Sequence, residues 1–271
     1  TSATGGRSGW DDGRVRARWQ DGWRLAVGTL TVLPVAPPER VDRGAARAAA
    51  VLAPAAFAPV ALACGLAGWA GLRLGLSSWL GALLIVALTT WFTRAIHLDG
   101  LADTADGLGS GRPAEQALQI MRRGDVGPVG VVALVLVLGL QVASAAALLD
   151  REWGWFAVAA ALVAGRGALT VVARRGVPSA RPDGLGTVFA SNVPSPWTAV
   201  AWLALAGVLA VAAGASGGRW WQGALAAVLA AALTMIVAAR ATRRLGGITG
   251  DVLGAGVEVA TTAALVVLAA G

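Results

Sequence analysis

The sequence predicts an all-α polytopic integral membrane bundle of about seven transmembrane helices, preceded by a short interfacial or re-entrant segment. Three observations carry that prediction. Hydrophobic residues fill 56% of the 271 positions and charged residues only 14%, with a mean hydropathy of +0.67; a soluble domain carries roughly a quarter charged residues. The charges are clustered, leaving apolar runs of about 18–22 residues, each long enough to cross a hydrocarbon core of about 30 Å as a helix. Arginine, finally, is concentrated in alternate loops, as positive-inside topology requires.

Residues 1–24 are polar and arginine-bearing, glycine-rich at the start, and lack the apolar core and cleavage site of a signal peptide. They read as a polar, partly disordered N-terminal tail, with residues 25–271 forming a single transmembrane catalytic domain. The apolar stretch Leu25–Val35 is too short to span and is ended by Pro34, Pro37 and Pro38, so it reads as the interfacial or re-entrant piece. Seven spans follow, near Ala45–Leu72, Trp79–Ile96, Val129–Leu149, Trp153–Ala173, Trp197–Ala213, Trp220–Ala239 and Gly254–Ala270. Pro54 and Pro59 predict a kink or tilt in the first. Trp79, Trp153, Trp155, Trp197, Trp220 and Trp221 fall at span ends, where indoles favour the interface.

The N-terminal region and the loops around residues 97–128, 174–196 and 240–253 hold nearly all the arginines, whereas the alternate loops offer only Arg73, Arg151 and Arg219. The arginine-rich side, and with it the active-site loops, is therefore expected to be cytoplasmic, in a multi-pass protein of the cell membrane. All 22 basic residues are arginines, most of them at helix ends, with no basic stripe interleaved with aromatics, so the net charge of +7 does not point to nucleic acid. The lone Cys64 excludes an internal disulfide.

The chemistry concentrates after the second span, in His97-Leu-Asp99-Gly-Leu-Ala-Asp103-Thr-Ala-Asp106-Gly107. The carboxylates at i, i+4 and i+7 fall within roughly 60° on a helix. Three ionised carboxylates on one face repel unless a cation or arginines neutralise them, and hard oxygen ligands favour Mg²⁺, Mn²⁺ or Ca²⁺ over zinc. Asp251, in a glycine-rich turn on the same predicted side, is the further ligand that a two-metal site would recruit. Arg166 and Glu258 lie inside predicted spans and should face the bundle interior or a polar cavity, paired with each other or touching substrate. Arg122, Arg123, Arg174, Arg175 and Arg181 suit bidentate phosphate binding or plain interfacial anchoring. Asp125 and Asp183 sit in Gly/Pro turns as ligands or turn residues. His97, the only histidine, is a candidate catalytic group or a hydrogen-bonding residue at a helix end. With no nucleophile elbow, Walker loop or HExxH, the pattern points to metal-assisted transfer of a phosphate-bearing group.

The string His97–Gly107 resembles the signature of the cobalamin synthase (adenosylcobinamide-GDP ribazoletransferase) family. Thr29-Leu-Thr-Val-Leu-Pro34, the stretch Arg122–Gly130 and Gly246-Gly-Ile-Thr-Gly-Asp-Val-Leu-Gly254 fit the same family. The resemblance implies a Mg²⁺-dependent membrane transferase that joins adenosylcobinamide-GDP to α-ribazole, or α-ribazole 5′-phosphate, and releases GMP. It implies Asp99, Asp103, Asp106 and Asp251 as metal ligands, with Asp99, Asp103, Asp106 and His97 at the reacting centre. Arg122, Arg123, Asp125, Arg166, Arg181, Asp183 and Glu258 are the residues expected to line the substrate site. Partners are then the corrinoid nucleotide, the ribazole and the lipid bilayer, with homo-oligomers compatible. The chain departs from the family pattern at Val32, where many relatives are basic, and at Gly124-Asp125, where many have Ser-Arg. A CDP-alcohol phosphotransferase is the nearest alternative, but its Ala-Arg and second aspartate pair are missing. A transporter would use Arg166 and Glu258 as pathway residues, yet no internal repeat supports it.

Overall fold

A computed structural model describes residues 8–270, with side-chain surroundings from residue 16 onward. Among these residues there are helices and no strands, apart from two isolated parallel bridges, Arg174–Val193 and Ser179–Ile248. The all-α membrane architecture expected from composition is what the chain adopts. Six helices, or up to seven with one bent pair, are long and apolar enough to cross a membrane.

The first helix, α1 (Ser8–Leu30), is continuous through the polar stretch and the apolar one that follows it. Residues 8–24 are thus helical and run on into the apolar stretch, and α1 is not among the helices apolar enough to span; residues 1–7 of the expected tail lie outside the described residues. The physical reason is an apolar and small-residue stripe, Gly22, Leu25, Ala26 and Leu30, that packs on α2 (Arg43–Arg73). Buried Asp21 then accepts a hydrogen bond from the Glu39 N–H (2.9 Å) and fixes the returning chain. The N-cap of α2 is Asp42, whose carboxylate accepts from the Ala45 N–H (2.8 Å). Pro54 and Pro59 are accommodated inside the helix.

The second expected span is where the chain departs most from its sequence pattern. α3 (Ser78–Phe92) stops four residues before the predicted end, and α4 (Ile96–Gly109) leaves it at 89°. At 15 residues α3 is only about 22 Å long. Arg94 and Ala95 both take the left-handed conformation (φ 53° and 56°). The turn is held by Arg94, which donates to the Gly28 carbonyl (2.9 Å), and by the Val32 N–H, which donates to Phe92 O (2.8 Å). α4 consequently lies across the arginine-rich end of the bundle instead of prolonging a span.

The short α5 (Ala114–Ile120) precedes α6 (Pro128–Leu149), and α7 (Gly154–Arg166) with α8 (Ala168–Val172) form the next crossing. After the short α9 (Leu185–Phe189) come α10 (Ser195–Ala215), α11 (Trp220–Leu245) and α12 (Gly250–Ala269). Crossings α7/α8 and α12 are the most enclosed, and the others show broad apolar faces outward. The arginine-rich loops meet at one end: Arg43 and Arg47 bond the 190–192 backbone, and Ile248 pairs with the 178–180 strand-like segment. At the other end Arg151 donates to the carbonyls of Leu268 and Ala269 (3.1 and 2.6 Å).

Alanine and glycine dominate the helix contacts, allowing close backbone approach where lipid offers no hydrophobic gain for larger side chains. Gly223 is the extreme case: a Cβ there would fall inside the backbone of Leu209 and Ala210 on α10, whereas Gly207 faces open space. Gly223→Leu should destabilise the detergent-solubilised protein at the upper end of the about 1–3 kcal/mol typical of overpacking. Gly207→Leu should leave the thermal midpoint unchanged; equal effects of the two would contradict this packing.

Candidate functional site

The acidic helix α4 is pressed onto the first turns of α12 and α6. A Cβ on Gly100 would lie 2.7 Å from the Asp251 carbonyl, and one on Gly254 3.1 Å from the His97 Cα, so glycine at these positions permits the α4–α12 contact. On the α6 side, Asp106 accepts from the Gly127 N–H (2.7 Å) and the Gly130 N–H (2.9 Å). One carboxylate thereby satisfies donors that the first turn of α6 leaves unpaired.

Asp99 is exposed and Asp103 is buried at 8% exposure, and neither accepts a hydrogen bond among the described residues. Asp251, half-buried in the first turn of α12, accepts from the Thr249 hydroxyl (3.0 Å). Its Oδ2 lies 3.8 Å from Arg181 Nη1. Arg181 is in turn fixed by a bond to the Leu118 carbonyl (2.8 Å), while its Nε is buried without a partner. The 178–184 loop reaches this position through the Ser179–Ile248 bridge, in which the Ala180 N–H donates to the Ile248 carbonyl (2.9 Å). Burial, then the carboxylates of Asp99, Asp251 and Asp106, push Asp103 up to about 6, against the pull of Arg181. The structure therefore gathers Asp99, Asp103, Asp251 and Arg181 into one electrostatic neighbourhood, with Asp106 at its edge.

Other sequence candidates are placed elsewhere. His97 lies roughly 120–160° around α4 from Asp99 and Asp103. It is buried against α12 and lines an apolar cleft with Leu169, Phe189 and Leu253. Desolvation, with the Arg166 charge adding to it, holds His97 well below its ordinary value, so the ring is neutral at pH 7. Arg122 makes a bidentate ion pair with Asp183 (2.8 and 3.1 Å) at the surface, while Arg123 and Asp125 are exposed in the neighbouring turn. Arg166 and Glu258 face the bundle interior as expected, but no ion pair joins them. Arg166 stacks 3.4 Å over the Phe57 ring and donates to the Leu162 carbonyl, and Glu258 accepts from Gln141 (2.7 Å). Arg94, Gly127, Gly130 and Thr249 complete the site without having been singled out. Gly127, Gly130 and Thr249 lie in the motif stretches named above, and Gly127-Pro128 also carries the signal of a proline at a helix N1 position, whereas Arg94 had none.

Among the described residues, no three histidine, cysteine or acidic side chains converge closely enough to hold a metal ion by themselves. The donor set is nonetheless of the right kind. Asp99 and Asp103 are carboxylates without protein donors, and Asp103 and Asp251 are held in mutual repulsion with one arginine between three charges. Two such carboxylates, with the oxygens of a bound phosphate and waters, would suit a hard divalent ion.

The chain matches the model of one protein family, cobalamin-5-phosphate synthase, over residues 22–269. Among relatives, it is 42% identical over 252 residues to an adenosylcobinamide-GDP ribazoletransferase of Nocardioides sp., covering 93% of this chain and 99% of that one. It is 35% identical to the protein of that name from Frankia casuarinae, covering 91% and 93%. The corresponding protein of Bradyrhizobium diazoefficiens is 39% identical, covering 91% and 92%. No solved structure matches the chain.

Asp103 and Asp106 should respond oppositely to the same change. With EDTA present, Asp103→Asn should stabilise the protein at pH 7.5, by at most roughly 3 kcal/mol for a rise from 3.8 to about 6. A raised carboxyl value means the folded state binds the proton more tightly. The cost of ionised Asp103 is therefore absent below about pH 4, grows between 4 and 6, and is complete above 6. The gain in thermal midpoint should disappear at pH 4. Asp106→Ala, which strips two backbone N–H groups of their acceptor, should lower the midpoint at every pH.

Proposed function

This chain belongs to the cobalamin-5-phosphate synthase family, and we propose that it transfers the adenosylcobinamide-phosphate moiety of adenosylcobinamide-GDP to α-ribazole or α-ribazole 5′-phosphate, releasing GMP. The observation that carries the reading is the acidic neighbourhood of Asp99, Asp103 and Asp251 beside Arg181, at the end of the bundle where the arginine-rich loops meet. By the positive-inside rule that end is cytoplasmic.

In the proposed step the ribose 3′-hydroxyl oxygen forms a bond to the phosphorus attached to cobinamide. The bond from that phosphorus to the GMP oxygen breaks, GMP leaves with the electron pair, and the hydroxyl proton passes to a carboxylate or to water. Arg181, with an unpartnered buried Nε, is oriented to hold the diphosphate, and exposed Arg122 and Arg123 extend the cationic rim. Arg122 would exchange Asp183 for substrate phosphate. Mg²⁺, held by two of Asp99, Asp103 and Asp251 together with substrate phosphate oxygens, would supply charge neutralisation for the diphosphate and the departing GMP. Asp106 positions: both its oxygens are engaged by α6, so its part is to keep α4 in register.

The test is GMP release with formation of a corrinoid product by the purified protein in nanodiscs, given adenosylcobinamide-GDP, α-ribazole phosphate and Mg²⁺. Turnover should vanish with EDTA, and Asp103→Asn should lower kcat by about 10²-fold or more. Full turnover in EDTA would remove the metal from the proposal. Folded protein that releases no GMP but turns over a CDP-activated alcohol would overturn the activity itself.

A further inference from the structure

At the arginine-rich end, away from the acidic helix, Arg18 and Trp19 of α1, Gly44, Arg47 and Val51 of α2, and Trp197 of α10 line a separate concave pocket. Its two indoles pack at 5.9 Å between centroids and form one wall. Arg47 spends Nε and one terminal nitrogen on Asn192 (3.0 and 3.4 Å), leaving its other terminal nitrogen without a partner among the described residues. Arg18 makes no hydrogen bond or ion pair among them. A Cβ on Gly44 would lie 3.1 Å from Arg18 Cδ, so the Arg18 side chain rests across the first turn of α2 because position 44 is glycine. The nearest carboxylate, Asp42, is engaged as the cap of that turn.

Two guanidinium groups with spare donors beside an indole pair, with no acid in the pocket lining and the nearby Asp42 directed to its cap, suit a phosphate. Its level decides where the phosphate comes from. Arg43 and Ser195 begin the α2 and α10 spans, placing Trp197 at the membrane interface. The floor runs down α2 to Val51, two turns below the cap. A ligand seated there has its charge at the headgroup level and its remainder along hydrocarbon-facing side chains. We propose that this pocket binds the headgroup phosphate of an anionic phospholipid, with the Trp19–Trp197 pair against the glycerol and upper acyl chain. The opposite end provides a built-in contrast: the cavity lined by Arg73, Trp69 and Trp153 there also has the carboxylate of Glu152 in its wall, so it offers an anion one arginine and one acid.

The experiment is native mass spectrometry of the full-length protein released from mixed phosphatidylglycerol and phosphatidylcholine nanodiscs, counting lipid retained per chain. Wild type should retain one phosphatidylglycerol at least tenfold over phosphatidylcholine. Arg18→Gln, an exposed change that leaves the Asn192 contacts intact, and the Arg18→Gln/Arg47→Gln pair should each lose most of that preference. Arg73→Gln should keep it. Retention unchanged in both pocket variants would overturn the proposal. So would displacement of the lipid by millimolar inorganic phosphate, which would make this a free-phosphate site.

Discussion

The break between α3 and α4 is the constraint on which the rest of the structure depends. Two successive non-glycine residues, Arg94 and Ala95, are held in the left-handed region, at roughly 1–2 kcal/mol each. They stay there because Arg94 reaches the Gly28 carbonyl and Val32 pairs with Phe92, so the end of α1 serves as the brace of the bend. Strain of this kind persists where surrounding contacts over-determine it. Its product is an acidic helix laid across the ends of α6 and α12, with three aspartates that a continuous helix would have carried past those ends.

From that placement the electrostatics follow. Asp106 is neutralised locally by two backbone N–H groups, which leaves Asp99 and Asp103 facing Asp251 with Arg181 as the one close cation. A surplus of negative charge in a half-buried setting is unfavourable for the protein alone. It becomes useful when the missing positive charge arrives with the substrate, because a divalent ion shared with a diphosphate relieves the repulsion as it binds. The loops bearing Arg122 and Arg181 are tied to the same frame through Asp183, Leu118 and Ile248, so phosphate donors and carboxylates share one support. Arg166 and Glu258 belong to another layer inside the bundle: Glu258 accepts from Gln141, whereas Arg166 rests on Phe57 and bonds Leu162 through Nη1 only, its Nε and Nη2 buried without a partner among the described residues.

Much of this was legible in the residues. The spans, the sidedness of the arginines and the i, i+4, i+7 aspartates all follow from hydropathy and helical period, which are local properties. The family's motifs led to the same aspartates. The bend was not legible, because Thr93-Arg94-Ala95 contains neither proline nor glycine and the contacts that force it come from residues 28 and 32. For the same reason Asp106 could not be told apart from Asp99 and Asp103: its partners, Gly127 and Gly130, lie more than twenty positions away. That His97 points away from Asp99 and Asp103 follows from helical period, but that its face is buried against α12 does not. Helix α1 was underestimated because its buried stripe is mostly glycine, alanine and leucine interrupted by arginines, which reads as a polar tail until α2 is in place.

A double-mutant cycle on kcat/KM between Asp103→Asn in α4 and Asp251→Asn in α12 tests the central claim most directly, that the bend brings two distant aspartates to act on one reacting group. Residues acting as a unit lose their effect together, so the double variant should be no more impaired than the worse single one. Losses that multiply would mean the two carboxylates work independently, and the folded-back acidic helix would then not be the catalytic frame described here.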